Sequence, residues 1–366
     1  MAKMKEKKNL PASLEELRKS IDKELGSGTI MQGRGAIVNV DVFPTSIATL
    51  DLALGVGGLP QGRIVELYGT ESSGKTTTCL QMIAACQQHY FEKKKRYGVA
   101  AIVDAEHALD PSWASKIGVN MDQLLISQPD SGEDGFTIVE KLAESGLVDL
   151  IVVDSVAALT PRAVLEGDMG DQAIAALARL MSTGMGKIKG KCNKTKTTAI
   201  FINQIREKVG VMFGNPESTP GGRALKFYSS LRIEVRKGKP IKSDDIVLGF
   251  RPTIKIIKNK VAPPFTTAEY DLCVGLEPRS VHGVDKTASV IEVAETIGII
   301  TRNKNFYIFN EKNIGNGLVN AIKTVNGDEA MLKELREKVY SRICERIPEN
   351  IIEEDNVEEE ADIDED

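Results

Sequence analysis

Residues 69–77 read Gly-Thr-Glu-Ser-Ser-Gly-Lys-Thr-Thr, which is the pattern of a phosphate-binding loop. The apolar run 63–68 predicts the strand that such a loop follows, and residues 76–88 predict the helix that it opens. Successive backbone N–H groups then point inward at the phosphates of a nucleoside triphosphate. A flexible glycine- and serine-rich surface loop is the alternative, and the flanking strand and helix argue against it.

The residues of this loop have separate expected tasks. Gly69 and Gly74 permit the tight turn. Lys75 can reach the β- and γ-phosphates, and the hydroxyl of Thr76 can ligate Mg²⁺. The expected nucleotide-binding residues of the loop are Gly69, Thr70, Glu71, Ser72, Ser73, Gly74, Lys75, Thr76 and Thr77.

The composition is typical of a globular protein with one large core and a smaller second domain. The chain has 366 residues, of which 42% are hydrophobic, and no run approaches the length of a membrane-spanning helix. We therefore expect a cytoplasmic protein. The five cysteines are never spaced as C-x-x-C and there are only three histidines, which argues against a disulfide framework and against a zinc site.

The charge is unevenly distributed. Residues 353–366 hold ten carboxylates and no Lys or Arg, so that removing them from the net charge of −5 leaves +5 for the rest of the chain. An acidic tail on a basic body is typical of a protein whose tail competes with nucleic acid. A tail that only solubilises the protein remains the alternative.

Apolar, mostly β-branched runs recur along the chain in the manner of an α/β fold. Segments compatible with helices fill the first three gaps between them, which predicts buried parallel strands with helices on both faces. The predicted strands are 63–68, 99–104, 148–154, 198–202 and 230–236. Further elements are an amphipathic helix over 13–25 that begins with a capping box, and a small C-terminal domain with a helix at 289–297 and a strand at 305–309.

Two predicted strands end in carboxylates. The strand at 150–154 ends in Asp154, which in combination with the upstream loop is the Walker B pattern of a Mg²⁺-binding acid. The strand before it ends at Asp104, and alternation places Asp104 and Glu106 on the same side. Glu106 is our candidate for the group that orients or deprotonates the attacking water. A helix N-cap or a surface acid is an equally open interpretation from position alone.

The segment 203–228 is difficult to place in a core. Its four glycines and two prolines argue against regular structure, yet it contains Arg206, Lys208, Met212 and Phe213. A mobile nucleic-acid contact has this composition. An ordinary long surface loop is the open alternative.

Four strings resemble the RecA family of bacterial recombinases, in the right order over about residues 10–270. They are Glu71–Thr76, Asp104–Pro111, Ile151–Pro161 and Phe201–Tyr228. The resemblance implies a DNA-dependent ATPase that uses ATP and Mg²⁺, forms helical filaments on single-stranded DNA, and exchanges strands with a homologous duplex in DNA repair. It also implies double-stranded DNA, further copies of the chain and an SOS repressor as partners.

The resemblance assigns roles position by position. Lys75 and Thr76 match the phosphate and Mg²⁺ residues, Glu106 the catalytic glutamate, and Asp154 the Walker B acid. Gln204 matches the sensor between the γ-phosphate and the DNA loop, and Trp113 falls where the family stacks an aromatic ring on adenine. Lys258 and Lys260 match a pair that reaches the neighbouring protomer's ATP. The implied DNA-binding residues are Glu166, Arg179, Arg206, Lys208, Val209, Gly210, Met212, Phe213, Gly221 and Gly222.

The implied fold is a RecA-type α/β P-loop ATPase core with a twisted, mostly parallel sheet, an N-terminal helix-strand polymerisation element and a small α/β C-terminal domain. The expected domains are an oligomerisation helix and linker (1–39), the core with two DNA-binding loops (40–279), the C-terminal domain (280–350) and a disordered acidic tail (351–366). A ring-forming helicase on the same core is the rival enzyme. A nucleotide-gated filament that serves as a signalling scaffold is the rival of another class.

Overall fold

The computed structural model describes residues 13–25, 40–167, 172–207 and 217–345. Helix α1 (Leu14–Leu25) belongs to the first of two compact units, and everything described from Val40 onward belongs to the second. The side chain of Ser13 accepts a hydrogen bond from the Glu16 N–H at 3.2 Å. The predicted N-terminal helix and its cap are therefore confirmed. The remainder of the expected polymerisation element lies outside the described residues.

The second unit alternates strands and helices through most of its length. Its helices are α2 (Ala48–Leu54), α3 (Lys75–Lys94), α4 (Pro111–Ile117), α5 (Gly132–Ser145), α6 (Arg162–Leu165), α7 (Gln172–Thr195), α8 (Ala224–Tyr228), α9 (Lys286–Thr296), α10 (Leu318–Asn326) and α11 (Glu329–Glu345). Its strands are β1 (Val42–Phe43), β2 (Leu59–Pro60), β3 (Ile64–Gly69), β4 (Ala100–Asp104), β5 (Leu124–Ser127), β6 (Leu150–Asp154), β7 (Thr198–Gln204), β8 (Arg206–Glu207), β9 (Glu217–Ser218), β10 (Leu231–Ser243), β11 (Ile246–Asn259), β12 (Thr267–Glu269), β13 (Leu272–Val274), β14 (His282–Val284), β15 (Thr301–Asn303), β16 (Phe306–Phe309) and β17 (Lys312–Asn316).

The central sheet has a parallel half and an antiparallel half. Its order is β14-β13-β11-β10-β3-β7-β6-β4-β5, with β12 paired to β11. The strands from β10 to β5 in this order run parallel, whereas β11, β13 and β14 add antiparallel pairs at the other side. The carboxyl ends of β3, β4, β6 and β7 therefore meet at one edge of the sheet, which is where doubly wound sheets bind ligands.

Alternate residues of the central strands enter two separate cores. In β6, Leu150 and Val152 pack in the cluster that contains α3, whereas Ile151 and Val153 pack in the cluster that contains α5 and α7. A strand that is buried on both faces needs this continuous apolar sequence. The predicted α/β class with helices on both faces is confirmed.

The C-terminal segment forms a third core around a small sheet. Strands β15, β16 and β17 form this sheet, and the cluster contains α9, α10 and α11 together with Ala48 of α2. The carboxylate of Asp51 in α2 accepts a hydrogen bond from the Tyr340 hydroxyl at 2.9 Å and from both the N–H and the hydroxyl of Thr45. Burial raises the pKa of Asp51 to about 7. The small C-terminal sheet domain is thus joined to the core by a buried polar contact.

Three predicted elements differ from the observed ones. Helix α3 continues past residue 88 to Lys94, because Tyr90 is buried. The strand predicted at 230–236 extends to Ser243, because it forms a long hairpin with β11. The segment 203–228, in which we expected no regular structure, contains the paired strands β8 and β9 and helix α8 in its described part.

The cysteines are unpaired, and four of the five are buried. Burial raises the pKa of the thiols of Cys79, Cys86, Cys192 and Cys273. Cys344 on α11 is exposed. Among the helices of the described ranges, none has the length and the apolar character that crossing a bilayer requires.

Candidate functional site

The loop at 69–77 connects β3 to α3 at the carboxyl edge of the sheet. Gly74 has φ +89°, and a Cβ atom there would lie 2.4 Å from the Leu272 Cδ1 atom. A Cβ atom on Gly69 would lie 2.0 Å from the Val235 carbonyl oxygen. Gly74 is therefore required for the turn, as predicted, whereas Gly69 is required because the backbone of β10 approaches it closely.

Polar groups of the loop are held inward. The Lys75 ammonium donates a hydrogen bond to the Thr70 carbonyl at 2.7 Å, and burial lowers the pKa of this lysine. The buried Ser73 hydroxyl has no hydrogen-bond partner within the described part of the chain. A buried hydroxyl of this kind is normally satisfied. A phosphate oxygen would supply its partner and would give Lys75 a stronger acceptor than the carbonyl.

Thr76 and Asp154 form the candidate Mg²⁺ site. The Thr76 hydroxyl donates to the Asp154 carboxylate at 2.7 Å, and burial is the main cause that raises the pKa of Asp154 to about 6. Hydroxyl and carboxylate oxygens fit Mg²⁺, which usually keeps several waters and binds one or two carboxylates together with substrate phosphates. No group of three or more His, Cys, Asp or Glu side chains suited to a metal occurs in the described ranges.

The two acids after β4 have different surroundings. Asp104 is buried and accepts hydrogen bonds from the N–H groups of Ala108 and Leu109, each at 3.2 Å, so that it stabilises the turn. Glu106 is exposed at the edge of the sheet. The strand ends at Asp104, so the alternation that placed both acids on one side does not extend to Glu106.

The Glu106 carboxylate already has two donors. The Ser155 hydroxyl donates a short hydrogen bond to Oε1, and the Gln204 side-chain amide donates to the same oxygen at 3.1 Å. Ser155 follows Asp154 at the end of β6, and Gln204 is the last residue of β7. The structure thus brings four predicted residues together at the carboxyl ends of the four adjacent strands β3, β7, β6 and β4. They are Thr76, Gln204, Asp154 and Glu106.

Trp113 lies beside the phosphate loop on α4. Asp110 caps this helix by accepting from the N–H groups of Ser112 and Trp113. The indole Nε1 lies 3.5 Å from the Thr77 hydroxyl in the first turn of α3. The ring is half-buried, so it is placed where an aromatic base could contact it.

The segment after Gln204 is anchored at both described ends. The side-chain amide of Asn203 donates to the Pro220 carbonyl at 3.1 Å and to the buried Glu66 carboxylate at 3.2 Å. Gly221 and Gly222 have φ values of +85° and +72° and pack against Met181 and Ala178 of α7. Arg206 is exposed. The predicted DNA-binding residues Lys208, Val209, Gly210, Met212 and Phe213 lie outside the described residues.

The first predicted DNA-binding loop is described only in part. Glu166 is exposed at the end of α6, and residues 168–171 lie outside the described ranges. Arg179 is exposed on α7, and Ile174 on the same helix is 83% exposed. These side chains therefore lie at the protein surface on either side of the same segment.

Lys258 and Lys260 lie together at the C-terminal end of α8. The Lys258 ammonium donates to the Lys226 carbonyl at 2.5 Å, and both ammonium groups are within 3.5 Å of the Phe227 carbonyl. The predicted placement on one side is therefore confirmed. At Lys258, strand β11 is paired with β10, whereas its pairs with β12 and β13 cover only residues 253–255 and 249–250. The alternative of a solvated edge therefore stays open for this end of the strand.

Sequence reasoning missed four contributors to this site. The sequence pattern gives Ser155 no role beyond following Asp154, and it gives Asn203 none beyond preceding Gln204. Glu66 and Arg232 form a buried ion pair at 2.5 Å between β3 and β10. The signal for such a pair is a charged residue inside an otherwise apolar strand, as Glu66 is in the run 63–68.

Comparison with known proteins finds similar sequences over most of the chain. The family model described as the RecA N-terminal domain matches residues 12–277. Protein RecA of Bacillus licheniformis is 49% identical over 329 residues, covering 90% of this chain and 91% of the relative. Protein RecA of Bacillus subtilis strain 168 is 48% identical with the same coverage. Protein RecA of Enterococcus gallinarum is 47% identical over 355 residues, covering 97% and 98%.

Proposed function

The chain belongs to the RecA family, and we propose that it is an ATP-dependent homologous recombinase that forms helical filaments on single-stranded DNA. Family membership supports a role in DNA recombination and repair and makes the chain a nucleotide-binding ATPase in general terms. The proposal adds the filament, the pairing with a homologous duplex and the exchange of strands.

The hydrogen bond between Glu106 and Gln204 is the observation that carries the proposal. Glu106 stands beside the phosphate loop, and Gln204 is the last residue before the segment predicted to bind DNA. The γ-phosphate of a bound nucleotide would compete with the Glu106 carboxylate for the hydrogen bond that the Gln204 side-chain amide donates. Nucleotide binding would then change the position of β7's last residue and of the DNA loop that follows, which is the kind of switch that phosphate contacts produce in related folds.

Hydrolysis would use side chains that are already close together. Lys75 would bind the β- and γ-phosphates, and Glu106 would orient and deprotonate the attacking water. Thr76 and Asp154 would hold Mg²⁺, which neutralises charge on the phosphates. Ser155 supports this role because its hydroxyl holds the Glu106 carboxylate in place.

DNA would bind along the surface that carries the two predicted loops. Arg179 and Arg206 are exposed there and suit phosphate contacts. The conformation of Gly221 and Gly222 supports a tight turn at the end of the second loop. The net charge of +5 without the acidic tail favours DNA binding through the electrostatic field.

The hydrolytic site would be completed by a neighbouring protomer. Lys258 and Lys260 contact only carbonyl oxygens of their own chain in the hydrogen bonds described above, and a γ-phosphate is a stronger acceptor for an ammonium group. In a filament the pair would stabilise charge on the neighbour's γ-phosphate, as an arginine finger does. An SOS repressor as a further partner and a cytoplasmic location belong to the same proposal.

Electron microscopy of the full chain with single-stranded DNA and a slowly hydrolysed ATP analogue tests the proposal. Helical filaments are expected, together with strand exchange between homologous DNAs when ATP is supplied. The variant Lys75→Ala should form no filaments and exchange no strands. The variant Lys333→Ala, on the exposed face of α11, should do both. Closed rings with unwinding activity would contradict the recombinase and favour the ring helicase.

A further inference from the structure

The ribbon formed by β13 and β14 packs against two elements of the candidate nucleotide site. Leu272 of β13 packs on the phosphate loop, where it would collide with a Cβ atom on Gly74. Gly283 of β14 packs on α4, because a Cβ atom there would lie 3.0 Å from the Ile117 Cγ1 atom. The ribbon therefore touches both the loop expected to bind phosphates and the helix that carries Trp113.

His282 is the residue of this ribbon that meets the Trp113 ring. The ring centroids are 5.8 Å apart and the planes are inclined by 67°, which is an edge contact and not a stack. Edge contacts between rings at this separation are a favoured geometry. Together with the 3.5 Å approach of the indole Nε1 to Thr77, the histidine fixes the indole from a second element.

The backbone leaves space for this imidazole. Gly275 has φ +83°, and a Cβ atom on it would lie 2.3 Å from the His282 Nε2 atom and 2.6 Å from Cε1. Any side chain at Gly275 would displace the imidazole. The pairing of Val274 with His282 in the β13–β14 ladder places the ring over this glycine. The position of His282 is thus set by the ribbon and does not depend on a flexible surface segment.

We infer that His282 is a positioning residue that holds Trp113 in the orientation that receives the base of a bound purine nucleoside triphosphate. The inference rests on the proposed ATP-binding function and extends it to the base. An indole that is already fixed loses less conformational freedom when a flat base stacks on it. Affinity gained through the base therefore depends on His282, whereas affinity gained through the phosphates depends on the loop at 69–77.

Measuring how tightly the full chain binds two ligands separates the affinity gained through the base from the affinity gained through the phosphates. The ligands are a slowly hydrolysed ATP analogue and inorganic tripolyphosphate, which has no base. An aromatic pair contributes enough to change affinity by roughly 2- to 12-fold. His282→Ala should weaken binding of the ATP analogue within this range and leave binding of tripolyphosphate unchanged. His282→Phe, which keeps a ring at the position, should restore most of the loss.

Trp113 is the only tryptophan of the chain, so intrinsic fluorescence reports on this ring alone. His282→Ala should lower the emission anisotropy and reduce the change in emission when the ATP analogue binds. In the background of Trp113→Ala, His282→Ala should cause no further loss of affinity, because the ring that it positions is absent.

Several results would overturn the inference. These are unchanged affinity of His282→Ala for the ATP analogue, an equal loss for both ligands, or additive losses in the double variant. Circular dichroism and thermal unfolding of each variant distinguish a local effect from misfolding. If the unmodified protein binds neither ligand, the proposed nucleotide function fails as well, so the two failures can be told apart.

Discussion

We expect ATP hydrolysis to depend on the carboxylate of Glu106. Glu106→Gln keeps the size of the side chain but removes the base, so ATP and DNA affinity should persist while hydrolysis slows by roughly 10²-fold or more. Steady-state ATPase assays and nucleotide titrations measure the two quantities, and filaments formed with ATP should become long-lived. Glu337→Gln, the same chemical change at an exposed position of α11, should have no effect. Loss of ATP binding in Glu106→Gln would show that Glu106 has a structural role instead.

For single residues, the sequence indicated the reactive side chains better than the side chains that hold them in position. Residues 69–77 and Asp154 could be selected from local patterns. Position alone left Glu106 open, and only the family resemblance indicated Gln204. Ser155 and His282 could not be selected, because their partners Glu106 and Trp113 are distant along the chain. Only the tertiary fold brings such pairs together, and no local spacing records their contact.

At the scale of elements, the lysines beside α8 lead to a prediction that two neighbouring protomers share each hydrolytic site. Lys258→Ala or Lys260→Ala should lose DNA-stimulated ATPase activity while each protomer still binds nucleotide through Lys75. Mixing Lys258→Ala with Lys75→Ala should restore some turnover, because some interfaces then join an intact phosphate loop to intact lysines. This prediction is checked by measuring the ATPase rate per protomer as a function of protein concentration and of the ratio in which the two variants are mixed.

A control tests whether the loss of any positive charge beside the contact of Lys258 with α8 is enough to lower turnover. Lys226→Ala removes an exposed side chain of α8 but keeps the carbonyl that Lys258 contacts, so it should leave turnover unchanged. Activity that does not depend on protein concentration, with no rescue on mixing, would show that each protomer's site is complete in itself.

The second predicted loop shows why elements in irregular sequence are hard to predict. Glycines and prolines in 203–228 argued against regular structure, but its described part contains helix α8 and the paired strands β8 and β9. Their pairing is supported from outside the segment, since Arg236 of β10 donates to the Glu217 carboxylate at 2.6 Å. Local propensity carries no information on such support. The strands of the parallel half were predictable because their burial on both faces leaves a continuous apolar pattern.

At the scale of the whole molecule, the buried Asp51 makes stability depend on pH. The folded pKa of about 7 lies above the ordinary value of 3.8, so the folded state retains a proton that the unfolded state releases between these values. The stabilising contribution is complete below about 3.8 and is lost as the pH rises through 7. Asp51→Asn keeps the size and cannot ionise, so its stability relative to the unmodified protein should improve with rising pH, by up to about 4 kcal/mol.

Denaturant unfolding from pH 4 to pH 8 measures this difference. Asp130→Asn, a change at an exposed aspartate, should follow the unmodified protein at every pH. Parallel curves for Asp51→Asn and the unmodified protein would show that Asp51 remains ionised when folded. Because Tyr340 donates to the same carboxylate, Tyr340→Phe should remove one favourable partner of the ionised form, raise the pKa of Asp51 further and extend the fall in stability to higher pH.

The acidic tail concerns the charge of the whole molecule and lies outside the described residues. Removing residues 353–366 should strengthen binding to duplex DNA and lower the Mg²⁺ concentration that binding needs, because ten carboxylates compete with phosphate for a basic surface. Affinities at several salt concentrations measure the effect. A variant in which the ten carboxylates become amides keeps the length and should behave like the truncation. Unchanged affinity at low salt would leave the tail with a solubilising role.

The arrangement of the cysteines allows the natural chain to be labelled at one site for measurements of its assembly. Since Cys344 is the one exposed thiol and the other four are buried with raised pKa values, a maleimide dye should attach to α11 and to no other place. Protomers labelled with donor and acceptor dyes could then report their approach by energy transfer, without any substitution in the sequence. Addition of each protomer to a growing assembly would become visible in real time, independently of nucleotide turnover.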